Sequence, residues 1–277
     1  MQGDVERHYA RDDIAAAIRA ALIRAGKDIA TLTPDDLAPF DQLHLRGRDA
    51  TLELAERVGL SEGLHVLDVG SGLGGPSRLL AAAFGCRVTG LDITAAYCRA
   101  AATLAEWVRL DRLVDYRHGD ALAMPFADAA FDVVWTQHAA MNIADKARLY
   151  AEVARVLKPG GRFALYDILQ GAGGAVRYPV PWAREPAISF LVEPAALRSL
   201  LGAARFAVES WRDMTAAARD RFREGRRLAR EPDPPPSPLT MLFGAEAPTI
   251  IENLGRNLEE DRVAVVEAVC RRPGGES

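Results

Sequence analysis

Val66-Leu67-Asp68-Val69-Gly70-Ser71-Gly72-Leu73-Gly74-Gly75 decides the fold of this 277-residue chain. Leu64, Val66, Leu67 and Val69 read as an apolar strand that runs into a loop with almost no side chains. Pro76-Ser77-Arg78-Leu79-Leu80 then opens a helix. Glycine has no Cβ, so Gly70, Gly72, Gly74 and Gly75 are expected to let a ligand lie directly against the backbone. The amides of the helix N-terminus point at that ligand. This is the pattern of a nucleotide-type cofactor site, and Gly70-x-Gly72-x-x-Gly75 satisfies the dinucleotide spacing.

Three acids decide between cofactors. Asp68 ends the strand two residues before Gly70. A carboxylate there would repel a pyrophosphate and attract an ammonium group. Asp92 ends the next apolar strand, Val88-Thr89-Gly90-Leu91-Asp92, about 20 residues on, which suits two ribose hydroxyls. Asp120 closes Arg117-His118-Gly119-Asp120 and is placed to accept from an adenine amino group. Each acid alone also reads as a helix cap or turn residue. Ammonium, ribose and adenine in that order describe S-adenosylmethionine better than NAD.

Asp68-x-Gly70-x-Gly72-x-Gly74, then Asp92, then Gly119-Asp120, resemble the motifs of class I S-adenosylmethionine-dependent methyltransferases. Leu157-Lys158-Pro159-Gly160-Gly161-Arg162 is similar to the turn before that family's fifth strand. Thr136 to Ile143, Tyr178-Pro179-Val180-Pro181-Trp182 and Arg256 to Glu260 resemble the branch of sarcosine/dimethylglycine N-methyltransferases, close to tocopherol and sugar O-methyltransferases. The resemblance implies cofactor contacts from Asp68, Gly70, Ser71, Gly72, Gly74, Asp92, Ile93, Asp120, Ala121 and Gln137, with Gln137 near the methionine end. It implies S-adenosylhomocysteine as product.

From residue 64 strands and helices alternate. Strands are expected at 64–69, 86–91, 114–118, 131–136, 162–168, 206–212 and 261–271, with helices at 76–84, 94–109, 145–157, 194–203, 213–230 and 245–257. Such alternation predicts an α/β, doubly wound, Rossmann-like seven-stranded sheet whose ligands bind at the carboxyl ends of the strands. Helices at 11–26, 33 onward and 48–58 precede it. The expected organisation is an N-terminal helical cap over 1–60, a cofactor-binding core over 61–212 and 261–271, and a helical lid insertion over 213–260. Glu231 to Pro238 is a proline-rich break.

A net charge of −4 and the absence of a basic patch interleaved with aromatics argue against nucleic acid as partner. The arginines from Arg219 to Arg230 alternate with acids and read as a solvated helix face. Cys86, Cys98 and Cys270 lack metal spacing and read as small core residues in a reducing compartment. With a polar N-terminus and no long apolar run, a cytoplasmic monomer or homodimer away from membranes is expected, with no metal.

Methyl transfer is an in-line displacement, so positioning matters more than a nucleophile. His138 reads as a general base, a hydrogen-bond partner of the acceptor or a structural histidine. Asn142 is placed to orient the acceptor, and Asp167 to act as a base, bind a cation or cap a loop. His44, Arg46, Tyr178, Trp182 and Met241 are the expected substrate contacts, Arg46 toward a carboxylate and the aromatics toward a substituted ammonium. The expected activity is methyl transfer to a small molecule such as sarcosine or dimethylglycine. The alternatives are O- or C-methylation of a natural product or isoprenoid, and a non-catalytic cofactor-binding regulator.

Overall fold

The computed structural model describes residues 14–231 and 238–274. The first residues of the expected cap and helix, and most of the Glu231–Pro238 break, lie outside them. Three helices come first: α1 (Ile14–Arg24), α2 (Pro34–Asp41) and α3 (Gly47–Val58). Seven strands follow: β1 (His65–Val69), β2 (Arg87–Asp92), β3 (Val114–His118), β4 (Phe131–Gln137), β5 (Leu157–Gln170), β6 (Ala207–Asp213) and β7 (Val263–Arg271). They form one sheet in the order β3-β2-β1-β4-β5-β7-β6. The first five are parallel, and β7 lies antiparallel between β5 and β6. The intervening helices are α4 (Gly75–Phe84), α5 (Ala95–Trp107), α6 (Lys146–Val156), α7 (Pro194–Ala203), α8 (Thr215–Leu228), α9 (Pro238–Phe243) and α10 (Ala247–Glu259).

The strand alternation assigns each residue to one face of the sheet. Val66, Trp135, Tyr166 and Ile168 pack into the layer that holds Leu54 and Val58 of α3, Leu80 of α4 and Leu254 and Leu258 of α10. Leu67, Val134, Phe163 and Leu165 face the opposite layer with Leu149 and Val153 of α6 and Leu197 of α7. A smaller cluster joins Ile18 and Leu22 of α1 and Leu37 and Phe40 of α2 to Leu104 of α5. So α3 packs against the sheet itself, while α1 and α2 lie over α5 and the glycine loop.

Two expectations shift. The turn expected before the fifth strand is absorbed into β5, because Leu157 already pairs with Phe131 and the register slips before Arg162 pairs with Val133. The helix expected over 245–257 appears as α10, and the chain before it forms a helix the sequence reading did not expect, α9, followed by a short 3-10 turn at Gly244–Glu246.

The glycine loop is locked from below. Arg78 of α4, 1% exposed, donates to Leu73 O at 2.7 Å and pairs with buried Asp41 of α2 at 2.6 Å. Gly74 has φ +74°, and a Cβ there would strike the Tyr116 ring and hydroxyl. A Cβ on Gly70 would strike Ala139.

Candidate active site

A cavity of about 990 Å³ opens at the carboxyl ends of β1, β2, β4 and β5, where an open α/β sheet places its ligands. One end is polar and is built from the strand ends. Gly70, Ser71, Gly72, Asp92, Ile93, Asp120, Ala121 and Gln137 all line it. Asp92 accepts from the amides of Gly72 and Thr94, each at 2.8 Å, so its carboxylate fixes the loop while facing the cavity. Burial raises its pKa, and those amides oppose the rise. Asp120 accepts from Leu122 N at 2.8 Å.

Gln137 is the best-oriented polar group here. Its Oε1 accepts from Thr51 Oγ1 and from Trp135 Nε1, both at 3.0 Å. Two donors on one oxygen determine which end of the amide is which, and they leave the buried Nε2 without a partner among the described residues. Ser71 Oγ is likewise buried and unpaired. Thr51 also lies 3.1 Å from His44 Nε2, and that nitrogen lies 2.8 Å from Gly47 O. A carbonyl only accepts, so Nε2 carries the proton of neutral His44. Burial holds its pKa down at about 4.

The other end is apolar. Met141, Ile168, Trp182, Phe190, Phe222, Leu242, Phe243 and Leu254 wall it. His138 lines the cavity as well. It has φ +50°, stacks on Tyr166 with centroids 5.4 Å apart and 5° between planes, and meets the His44 ring edge-on at 6.1 Å. Burial and the nearby His44 hold its pKa well below the ordinary histidine value, so it is neutral, and its buried Nε2 has no partner among the described residues.

Several expected site residues sit elsewhere. Asp68 does not reach the cavity wall: it is 2% exposed and accepts from Ser77 Oγ at 2.6 Å, tying β1 to α4. Gly74 is off the wall too, because Tyr116 fills the space its missing side chain leaves. Asp167 points to the opposite face of β5 from Tyr166 and Ile168, where it accepts from Ile168 N and lies near Lys146. It therefore cannot serve as a base in this cavity. Asn142 lines the cavity, but its amide donates to Trp182 O at 2.7 Å and Ile188 O at 3.0 Å, so it clamps the loop after β5. Arg46 lines the cavity with its guanidinium bound by both nitrogens to Glu53. Tyr178 packs against the core beneath, and Met241 packs with α1 and α2 while Leu242 and Phe243 face inward. His44 and Trp182 do line the cavity.

Thr51, Tyr166 and the cavity-lining residues Arg221, Phe222, Arg226, Leu242 and Leu254 of the expected lid escaped sequence reasoning. Thr51 had a visible signal: a lone hydroxyl on the apolar face formed by Ala50, Leu54, Ala55 and Val58.

Residues 67–165, from β1 into β5, match the methyltransferase domain family. A sterol 24-C-methyltransferase of Gibberella zeae is 40% identical over 116 residues, covering 42% of this chain and 30% of that protein. A glycine/sarcosine/dimethylglycine N-methyltransferase of Actinopolyspora halophila is 35% identical over 129 residues, 47% of this chain and 23% of that protein. The chain thus spans well under half the length of these relatives. Among solved structures, a geranyl diphosphate C-methyltransferase of Streptomyces coelicolor, crystallised with Mg²⁺ and S-adenosyl-L-homocysteine, superposes with TM-score 0.66 at 20% identity over 82% of this chain and 76% of that one. A 4+2 cyclase superposes with TM-score 0.71 at 22% identity over 98% of this chain and 97% of that one. The fold is that of the S-adenosylmethionine-dependent methyltransferases. Among the described residues no helix is long and apolar enough to cross a membrane.

Proposed function

We propose that this chain transfers a methyl group from S-adenosylmethionine to an apolar small molecule and releases S-adenosylhomocysteine. The division of the cavity carries the reading: a polar end at the strand ends joins an apolar chamber in a single space of about 990 Å³. That lies at the top of the ~300–1,000 Å³ range of small-molecule sites, which leaves room for a second ligand beside the cofactor.

The residues present fit the cofactor. Asp92, Ile93 and Asp120 would hold the adenosine portion. Ser71 and Gln137 would hold the amino-acid portion, where the unpaired Nε2 of Gln137 meets a carboxylate. When bound, S-adenosylmethionine supplies an electrophilic methyl carbon on a sulfonium. The chain then has to align the acceptor and keep water out. Trp182, Phe190 and Phe243 exclude water, and neutral His138 accepts a proton from an acceptor hydroxyl or acidic carbon. We place α1, α2 and residues 213–231 and 238–260 as the lid. The reading carries with it a cytoplasmic monomer or homodimer without a nucleic-acid partner, which the net charge of −4 supports.

The test is S-adenosylhomocysteine formation on mixing S-adenosylmethionine and the protein with an acceptor panel of isoprenoid alcohols, sterols, sarcosine and dimethylglycine. Turnover of an apolar acceptor is the expected result. Turnover of the amines alone would restore the small-amine reading, which loses support from the placement of Asp167 on the opposite face of β5. Tight cofactor binding with no turnover across the panel would favour a protein that uses this fold without methyl transfer, and the cyclase keeps that reading in play.

A further inference from the structure

Helix α8 carries five arginines, and the fold sorts them into two sets. Arg219, Arg223 and Arg227 recur every fourth residue and are all neutralised. Arg219 bonds Leu258 O and Asp261, Arg223 bonds Glu259, and Arg227 pairs with Glu224 and Glu231. Arg221 and Arg226 flank the other face of the helix, where Phe222 and Gly225 meet the cavity, and both line it. Neither forms an ion pair or hydrogen bond with a described residue: Asp220, next to Arg221 in sequence, pairs with Arg223, and Glu224, the acid nearest Arg226 in sequence, is held by Arg227. Arg226 lies over α10 because Gly255 leaves it space: a Cβ there would come within 3.1 Å of Arg226 Nη1 and of Phe222 Cε1.

Glu224 and Glu259 are near enough to feel Arg221 and Arg226 but bond other arginines, and an apolar acceptor alone gives no use to two guanidiniums whose N–H donors meet no described partner. We propose that the acceptor is an amphiphile. Its acidic group, a carboxylate or a phosphate, pairs with Arg221 and Arg226, and its apolar body fills the chamber walled by Phe190, Phe222, Leu242 and Phe243. The guanidinium fork recognises either oxyanion by paired N–H···O bonds. Both arginines are exposed, so the attraction weakens as salt rises. The word acceptor rests on the methyltransferase reading, whereas the anion site does not.

The test uses four single-chain probes below their micelle concentrations: dodecanoate, dodecyl phosphate, dodecanol and dodecyltrimethylammonium. Binding is followed by tryptophan fluorescence in low salt, and S-adenosylhomocysteine binding is measured separately by calorimetry. The two anions are expected to bind about tenfold tighter than dodecanol, as charge-assisted pairing predicts. Whichever anion binds more tightly identifies the acidic group. Arg221→Gln with Arg226→Gln removes this preference and leaves dodecanol and S-adenosylhomocysteine binding unchanged, whereas Arg87→Gln at the far end of the sheet keeps it. Equal binding of anion and alcohol to the native chain, tighter binding of the ammonium probe, or a preference that survives the double substitution overturns the proposal. A native chain that shows no anion preference but binds S-adenosylhomocysteine sinks this inference alone. Absence of S-adenosylhomocysteine binding with the preference intact sinks the methyltransferase reading instead.

Discussion

Thr51 Oγ1 donates to Gln137 Oε1 at 3.0 Å, joining α3 to the end of β4 across 86 positions of sequence. Trp135 donates to the same oxygen, so the Gln137 amide is held with Nε2 turned away from both. Thr51→Val keeps the shape and removes one donor. Affinity for S-adenosylhomocysteine should fall about fivefold, near ~1 kcal/mol for one net hydrogen bond. Calorimetry reads this directly, and an unchanged affinity would mean that Gln137 does not touch the cofactor.

His138 is neutral and lines the cavity, with its Nε2 unpartnered among the described residues. If it takes the acceptor's proton, His138→Gln lowers kcat by about a hundredfold, within the usual range for a general base. Affinity for S-adenosylhomocysteine stays as it was. A drop in that affinity with kcat preserved would make His138 a wall residue only.

Burial pushes Asp68 up to about 7 from an ordinary value of 3.8. Between those values the folded chain holds a proton that the unfolded chain has released, so raising the pH favours unfolding. Asp68→Asn cannot charge. Its stability relative to the native chain should climb from pH 4 to about 7 and level off above. Urea melts across that range give the curve, and parallel pH dependences of the two proteins would refute the assignment.

Lys146 is 5% exposed and donates to Ala140 O, Ile143 O and Phe190 O at 2.6, 2.6 and 2.8 Å. It fastens the segment after β4 to the segment after β5. Lys146→Met strands three buried carbonyls. The expected loss is at least about 3 kcal/mol, as for breaking other buried charged contacts. Denaturant unfolding measures it, and a loss below about 1 kcal/mol would show that water replaces the lysine.

Gly74 and Gly160 have nearly the same φ, +74° and +77°, but differ in surroundings. Nothing lies within 4 Å of a Cβ on Gly160, whereas one on Gly74 meets Tyr116. Gly160→Ala should cost about 1 kcal/mol of backbone strain. Gly74→Ala should cost a further 1–3 kcal/mol, roughly the penalty of overpacking. Equal melting temperatures for the two variants would show that Tyr116 moves freely.

The strand ends were legible because motif and topology agree there: Asp92 and Gln137 close β2 and β4, Asp120 follows β3 by two residues, and all three line one cavity. Asp68 and Asp167 mark where the reading stops. Sequence places a carboxylate at a strand end but does not say which side of the pleat it takes. A one-residue change of parity carries Asp167 away from the face that holds Tyr166 and Ile168. The glycines show a related limit. The spacing signals a missing Cβ, but only the fold reveals that Ala139 and Tyr116 use the space at Gly70 and Gly74. The apolar chamber was less legible still, since its walls come from α8, α9 and α10 and from loops far apart in the chain. Periodicity marks those helices as amphipathic without naming what their inner faces enclose.

Residues that would grip the donor and residues that would choose the acceptor come from separate stretches of this chain. The first lie between Gly70 and Gln137, and many of the second lie beyond Phe190. The roof over the chamber can therefore change by drift, grafting or recombination while the donor grip is inherited intact. Replacing residues 213–260 with the matching stretch of another protein of this fold would be a retargeting operation: the same methyl source, aimed at a new molecule.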